Sequence, residues 1–206
     1  MTARRTLTMA GAIAATVILA ACSGTASNGS GSGVPSAGAA PNQSASGAAE
    51  VNPQGDIPDN QAYVKFSPAG GGYTVKIPEG WSRTSTGGAT SFTDKLNKIE
   101  MAAAAAPTQP TVASVNSTDV SSLKATVAKF AMGKVSVVVR AGGSAILLTY
   151  QGDSAPDQVT GKVVRDAFER YTFYQAGKRV DLTLSGPINA DNVDPWRTVS
   201  DSLRLI

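Results

Sequence analysis

Oxygen-bearing side chains cluster near the end of the 206-residue chain, where Asp191, Asn192 and Asp194 occupy three of four consecutive positions. Carboxylate and amide oxygens are ligands for calcium, but the segment lacks the glycine and the distal glutamate of an EF-hand loop. Asp194 precedes Pro195, and this order is typical of a helix N-cap followed by proline at the first helical position. We therefore interpret Asp194 as a cap and predict no metal site, and we keep Asp191 and Asn192 as possible ligand contacts.

The residue inventory excludes several catalytic classes. The chain contains no histidine and one cysteine, which rules out the usual Ser–His–Asp and Cys–His mechanisms and histidine-based metal sites. The "SSLK" sequence at 121–124 has β-lactamase-like spacing but lacks the partner motifs in order. No phosphate-binding glycine loop is present, because the glycine-rich turns lack the Lys–Ser/Thr pair. We predict a non-enzymatic protein without a cofactor, and a carboxylate-pair hydrolase remains the third hypothesis.

A predicted long hairpin in the C-terminal half carries arginines together with tyrosines. Aromatic and arginine side chains dominate the energetics of many protein interfaces, whereas alternation along the strands would also permit cross-strand ion pairs on a solvated face. We predict an interaction surface that includes an exposed Tyr171 or Tyr174. The candidate residues are Arg165, Arg170, Tyr171, Tyr174, Arg179, Asp191 and Asn192.

The N-terminal residues have the features of an export signal. Residues 1–21 combine two arginines with an uncharged apolar run that is short for a membrane span. The "LAAC" sequence that ends at Cys22 matches the bacterial lipobox. This resemblance implies a diacylglycerol anchor on Cys22, cleavage before it and fatty acylation, such as palmitate, of the new amino group. We expect secretion by the general route and an extracytoplasmic, lipid-anchored protein at the cell membrane.

Residues 22–60 are predicted to form a flexible tether, because they consist mainly of small polar residues that cannot bury enough apolar surface to fold. A single domain is predicted at 61–206. Once Arg4 and Arg5 leave with the signal, 16 of the 18 basic residues remain against 15 acidic ones. This nearly neutral balance gives no electrostatic reason to expect nucleic-acid binding.

Hydrophobic periodicity predicts mostly strands, with one internal helix at 116–132 and one helix at the C-terminal end. We expect Ser117 or Thr118 to cap the internal helix and Gly133 to end it, and Trp196, Val199 and Leu203 to face a sheet. This order predicts an α+β fold with an antiparallel sheet flanked by helices. The predicted strands are 63–67, 73–77, 90–93, 98–106, 135–140, 144–151, 163–175 and 179–185.

Two stretches resemble a known fold. "YTVKIPEGW" at 73–81 is similar to the strand and Pro-x-Gly-Trp segment of PsbP/Mog1-like domains, and "DPWRTVSDSLRLI" at 194–206 is similar to their closing helix. Together with the lipobox and the tether, the domain resembles actinobacterial surface lipoproteins of the LpqN/LpqT type, in which a segment like 164–187 is also typical. The resemblance implies a fold and an envelope location, and it brings no catalytic residue.

These observations favour a non-catalytic binding or accessory module for an envelope protein or complex. The alternative is a carrier of an apolar lipid or glycolipid ligand held between the sheet and the helices. A large apolar cavity would favour the carrier, whereas a solid core with an exposed patch of aromatic and arginine side chains would favour protein binding.

Overall fold

The computed structural model describes residues 53–157 and 160–206. The predicted signal sequence, Cys22 and residues 22–52 of the predicted tether lie outside these residues. The described residues belong to one compact unit, Ala48–Ile206. Because Gly55 is buried and Ile57 packs in the core, the folded region begins before residue 61, where the sequence placed its start.

A seven-stranded antiparallel sheet forms the centre of the domain, in the order β3-β4-β5-β9-β8-β7-β6. All but one connection inside this sheet join neighbouring strands; the exception runs from β5 to β6, and the helical segment occupies it. The strands are β3 (Ser82–Thr86), β4 (Ala89–Asp94), β5 (Asn97–Ala105), β6 (Ala131–Arg140), β7 (Gly143–Asp153), β8 (Arg165–Gln175) and β9 (Lys178–Pro187).

A smaller three-stranded sheet has the order β1-β2-β10, in which β1 is Tyr63–Phe66, β2 is Tyr73–Pro78 and β10 is Arg204–Leu205. Helix α3 (Val193–Ser202) precedes β10. These elements pack with one face of the large sheet, since Val75, Trp196 and Leu203 share a core cluster with Met101 and Leu182. This face is called the α3 face below.

The opposite face, called the helix face below, is covered in part by a helical segment. The segment consists of α1 (Val112–Ser114), a π-helical turn (Val115–Asp119) and α2 (Val120–Thr126). Val115 and Val120 pack on Leu148 and Tyr150 in a second core cluster. The domain is therefore an α+β structure with an antiparallel sheet flanked by helices, as the hydrophobic pattern predicted.

The internal helix differs from its predicted position. A capping box between Thr111 and Ser114 starts the segment at Val112, four residues before the predicted start, and it ends at Thr126. Residues 131–132 belong to β6 instead. Gly133 does not end the helix: a Cβ at this position would lie 2.5 Å from Oγ1 of Thr149, so glycine permits the close approach of β6 and β7.

The C-terminal helix is confirmed, but its predicted cap is wrong. Helix α3 begins at Val193 with Asn192 at the N-cap position, so Asp194 lies inside the first turn and no side chain makes a capping hydrogen bond. Asp194 still lies where a negative charge favours the helix dipole. Trp196 and Val199 are buried as expected. The sequence also missed strand β3 and the pairing of β10 with β2.

Candidate interaction surface

Alternation along two central strands places a group of charged side chains on the helix face. In β9, Val180, Leu182 and Leu184 fill the core of the α3 face, which turns Arg179 and Asp181 toward the helical segment. Arg170 of β8 lies on the same side, because it pairs with Thr183 across the strands. The alternation of apolar and polar residues thus places these three charged side chains together on the helix face.

Two arginines and two aspartates form a closed network, here called the Arg–Asp cluster (Asp119, Arg170, Arg179 and Asp181). Nη2 of Arg170 lies 2.8 Å from Oδ2 of Asp181, and Nε of Arg179 lies 2.9 Å from Oδ1 of the same carboxylate. Arg179 also donates to Asp119, whose Oδ1 is 3.9 Å from Arg170. Thr172 donates its hydroxyl to Asp181 at 2.7 Å. The positive and negative charges therefore balance.

The cluster is largely shielded from solvent, and its four charged side chains are 11–22% exposed. Burial works against the charged form of Arg179, but hydrogen bonds and charges from Asp119 and Asp181 outweigh it and raise the pKa of the guanidinium. Nε of Arg170 is a buried donor without a hydrogen-bond partner among the described residues. The ion pairs thus hold the four side chains in place, and one buried donor, Nε of Arg170, lacks an acceptor among the described residues.

The π-helical turn supplies the fourth member of this cluster. Val115 is the first residue of the turn and Asp119 is the last. Val115 and Val120, which directly follows the turn, are both buried. A π turn adds one residue to a helical repeat and is found frequently at functional sites. Here it lets both valines pack on the sheet while Asp119 reaches Arg179.

The cluster lines a cleft of about 500 Å³, bounded on its other side by the segment 104–110. Two carboxylates that share a cleft are the arrangement that a glycosidase would need. Asp119 and Asp181 instead accept charge-assisted hydrogen bonds from arginines. Their oxygens are therefore directed at guanidinium groups of the protein itself.

A second cleft of about 410 Å³ lies on the other side of Pro110. Its walls combine apolar side chains with hydroxyl groups, and Thr172 connects it to the Arg–Asp cluster through its bond to Asp181. We call it the Tyr174 cleft. Its lining includes Val112, Val137, Ser144, Ile146, Thr172 and Tyr174.

Beside the Tyr174 cleft, the edge strand β6 exposes two valines, called the valine rim (Val137 and Val139). Val137 is 63% exposed and Val139 is 77% exposed. They pair across the strands with Ile146 and Ser144 of β7, so they lie on the helix face beyond the helical segment. Exposed apolar side chains on an edge strand next to a cleft are typical of an interaction site.

The predicted site residues separate into several places. Arg170 and Arg179 meet in the Arg–Asp cluster, and Tyr174 pairs with Arg179 across the strands and lines the neighbouring cleft. The expectation of an exposed Tyr171 is wrong, because this side chain is 1% exposed in the core of the α3 face. Alternation explains the difference, since residues 171 and 174 lie on opposite faces of β8.

Tyr171 instead belongs to a hydrogen-bond chain at the α3 face. Its hydroxyl donates to Glu169 at 2.6 Å and accepts from Arg140 at 2.9 Å. Nε of Arg140 continues to the hydroxyl of Ser200 in α3 at 3.1 Å. Burial, followed by the bond to Glu169, raises the pKa of the Tyr171 phenol. This chain connects the end of β6 to α3.

Arg165 lies at the start of β8, at a distance from the Arg–Asp cluster in sequence and along the strand. Its Nη1 donates to the carbonyl of Lys129 at 2.6 Å and lies 3.5 Å from Asp153. The neighbouring Asp166 is buried, and its Oδ1 has no hydrogen-bond partner among the described residues. Burial, with a smaller contribution from the charge of Asp153, raises the pKa of Asp166 to about 6.

Asn192 connects segments that are far apart in the chain. Its Oδ1 accepts from the backbone N–H of Ile57 at 2.8 Å, and its Nδ2 donates to the carbonyl of Gly55 at 3.1 Å and to Oδ1 of Asn97 at 3.0 Å. Asn192 is buried, with 3% of its surface exposed, and its hydrogen bonds connect the first described segment of the domain to the start of α3. The side chain of Asp191 is exposed, and its backbone N–H donates to Asp56.

Sequence reasoning missed two components of the helix face. Asp119 lies inside the predicted internal helix, and a π turn has no sequence signature that would show that this side chain contacts Arg179 of the sheet. The valine rim was assigned to a strand, but the periodicity alone does not show which part of a face a short helix leaves uncovered.

Among residues 53–157 and 160–206, no helix is long and apolar enough to cross a membrane. The same residues contain no group of three or more His, Cys, Asp or Glu side chains arranged to hold a metal ion.

Neither a protein-family model nor a curated protein matches the sequence. Among solved structures, the chain is similar to cyanobacterial PsbP from Synechocystis, with 15% identity and a TM-score of 0.49 over 71% of this chain and 94% of that one. It is also similar to LpqN, which is involved in cell envelope biogenesis of Mycobacterium tuberculosis, with 14% identity and a TM-score of 0.40 over 71% and 92%.

A third match is a Bacteroides thetaiotaomicron protein, with 13% identity and a TM-score of 0.46 over 69% of this chain. The chain spans about half of that protein, 48% of its length. Proteins of both expected kinds, PsbP and LpqN, thus occur among the structural matches.

Proposed function

We propose that the protein is an extracytoplasmic lipoprotein, anchored through Cys22, whose domain binds another envelope protein through the helix face. The valine rim carries this proposal. Val137 and Val139 expose most of their surface on an edge strand. Such a strand can extend its sheet with a segment of a partner, whose side chains then enter adjacent pockets.

The arrangement around the rim supports a protein partner. The Tyr174 cleft lies directly beside the rim and offers a pocket with an aromatic wall and hydroxyl groups. Next to it, the Arg–Asp cluster holds its arginines in fixed positions, so binding there would cost little side-chain entropy. Apolar contacts bordered by positioned polar groups match the usual composition of an interface.

The Tyr174 cleft also supports the carrier as a second candidate function. Its volume of about 410 Å³ lies within the range of small-ligand pockets, roughly 300–1,000 Å³. Val112 and Ile146 give an apolar wall, while Ser144 and Thr172 give hydroxyl groups. This combination suits a glycolipid, whose acyl part and sugar part need opposite surroundings.

Site-specific photo-crosslinking in the native cell tests the proposal and separates the two candidates. A photoreactive residue at Val139 is expected to capture one protein reproducibly, identified by mass spectrometry of the adduct. The matched control places the same residue at Thr84, which is exposed on β3, the opposite edge strand. Capture of a lipid instead of a protein at Val139 would support the carrier, and equal yields at both positions would overturn both candidates.

The location is tested separately with Cys22→Ala, which removes the predicted attachment site. We expect this variant to leave the membrane fraction, because the predicted lipid attachment is lost. Retention in the membrane fraction at the level of the unmodified protein would contradict the lipoprotein interpretation, while the crosslinking result from Val139 would stand on its own.

A further inference from the structure

On the α3 face, three basic side chains converge on one cleft, here called the cationic cleft (Lys65, Lys76 and Arg204). Each comes from a different strand of the small sheet, and α3 forms the opposite wall through Thr198 and Ser202. The cleft has a volume of about 330 Å³. It lies on the other side of the domain core from the proposed partner surface.

The strand register places these positive charges together. Lys65 is directly opposite Lys76 in the β1–β2 pair. Arg204 is opposite Thr74, which lies two residues before Lys76 and therefore on the same face of β2. Like charges that face each other across two strands destabilise a sheet, so this arrangement has a cost that folding alone does not explain.

The basic side chains of the cleft have no ion-pair partner among the carboxylates of the described residues. The one acid in the lining, Asp201, lies 3.8 Å from Arg140 and 3.5 Å from Arg197. Its charge is thus shared with two other cations, and the cleft keeps a positive potential.

The walls of the cleft are held in place by local hydrogen bonds. Nη1 of Arg204 donates to the carbonyls of Asp201 at 2.6 Å and of Leu203 at 2.9 Å. The backbone N–H of Lys76 donates to the hydroxyl of Ser202 at 2.7 Å, which joins β2 to α3. Close packing adds to this, since a Cβ on Gly142 would lie 1.8 Å from the carbonyl oxygen of Leu203.

We infer that the cationic cleft binds a phosphate ester. A phosphate group presents several charged oxygens at once, which matches two ammonium groups, a guanidinium group and the hydroxyls of Thr74 and Thr198. A single carboxylate would satisfy fewer of these donors. The site goes beyond the proposed function, because it uses none of the residues of the Arg–Asp cluster or the valine rim.

Isothermal titration calorimetry on the full chain in a non-ionic detergent tests this inference. The probes are glycerol 3-phosphate, short-chain phosphatidylglycerol and glycerol, at one fixed ionic strength. We expect at least one phosphate-bearing probe to bind and glycerol not to bind. Preference for glycerol 3-phosphate would identify a free phosphate ester, and preference for the lipid would identify a headgroup.

The charge-removal variant Lys65→Gln/Lys76→Gln is expected to weaken phosphate binding by about tenfold or more, the effect of losing charge-assisted hydrogen bonds. The matched control is Lys124→Gln/Lys134→Gln, which removes the same charge from exposed positions outside the cleft and should change the affinity less than about twofold. A chain that binds neither phosphate probe overturns the inference. So does equal weakening in both variants, which would indicate non-specific attraction.

Discussion

The domain contains two groups of positive charge whose surroundings are opposite: the arginines of the Arg–Asp cluster on the helix face and the lysines of the cationic cleft beside α3. On the helix face, Arg170 and Arg179 are mostly buried and share the carboxylates of Asp119 and Asp181. On the α3 face, Lys65 and Lys76 are exposed, face each other across two strands and have no carboxylate partner among the described residues.

The difference follows from desolvation. A cation removed from water must be paired, because the loss of hydration otherwise exceeds any gain from packing. A cation that keeps its water can stay unpaired at a small cost, and its field then remains available to a ligand. The paired arginines of the Arg–Asp cluster are therefore held in fixed positions. The unpaired lysines of the cationic cleft instead create a positive electrostatic potential around the cleft.

The largest expected effect comes from opening the Arg–Asp cluster. Asp181→Ala removes the acceptor that Arg170, Thr172 and Arg179 share. Two largely buried guanidinium groups would then share Asp119 alone. We expect the free energy of unfolding, measured by denaturant titration, to fall by roughly 3–4 kcal/mol.

Asp94→Ala is the control, since Asp94 is exposed at the end of β4, and it should change stability by less than about 0.5 kcal/mol. If Asp181→Ala were no more destabilising than Asp94→Ala, the cluster would be a solvated set of charges and the contrast between the faces would fail.

Asp166 on the helix face is a buried carboxyl whose Oδ1 has no hydrogen-bond partner among the described residues. Its titration gives the next largest expected effect on stability. By strand alternation it lies on the same side of β8 as Phe168, which packs in the second core cluster. Its pKa rises from 3.8 to about 6, mainly through burial. Because the folded state prefers the protonated acid, the stabilisation is complete below about pH 4 and is lost as the pH rises through about 6.

Denaturant titrations between pH 4 and pH 7 should therefore show stability falling by up to about 3 kcal/mol from this group. Asp166→Asn should remove the slope and stabilise the domain at pH 7. Lys129 and Arg165 lower the pKa of Asp153, so the stabilisation from Asp153 is lost as the pH falls and not as it rises. The pH dependences of Asp153 and Asp166 can therefore be told apart. An unchanged slope in Asp166→Asn would show that the buried carboxyl is already compensated.

Much of the fold was predictable because apolar alternation marks strands directly. In the predicted strand 179–185, Val180, Leu182 and Leu184 alternate with polar residues, and all three lie in the core of the α3 face. The boundaries of the internal helix were not predictable in the same way, because the capping box at Thr111 lies outside the amphipathic stretch that signalled the helix. Strand β3 was missed because all five of its residues are polar and exposed.

The candidate site was predictable only in part. Strand alternation indicated that cross-strand ion pairs could form on a solvated face, whereas Arg170 and Arg179 form theirs largely shielded from solvent. Which tyrosine of β8 lies in the core depends on the register of the strand. The placement of Lys65 opposite Lys76 depends on the length of the β1–β2 turn, and the contact with α3 depends on the tertiary fold. Neither can be read from spacing along the chain.

The central claim is that the charges of the Arg–Asp cluster are paired for stability, while those of the cationic cleft are left unpaired for a ligand. The stability of Lys76→Gln without phosphate tests this claim most directly. We predict that its free energy of unfolding at low salt exceeds that of the unmodified chain by roughly 0.2–1 kcal/mol, since the variant removes the repulsion from Lys65. This gain should shrink in about 0.5 M salt. A loss of stability would show that Lys76 supports the fold and would contradict the claim.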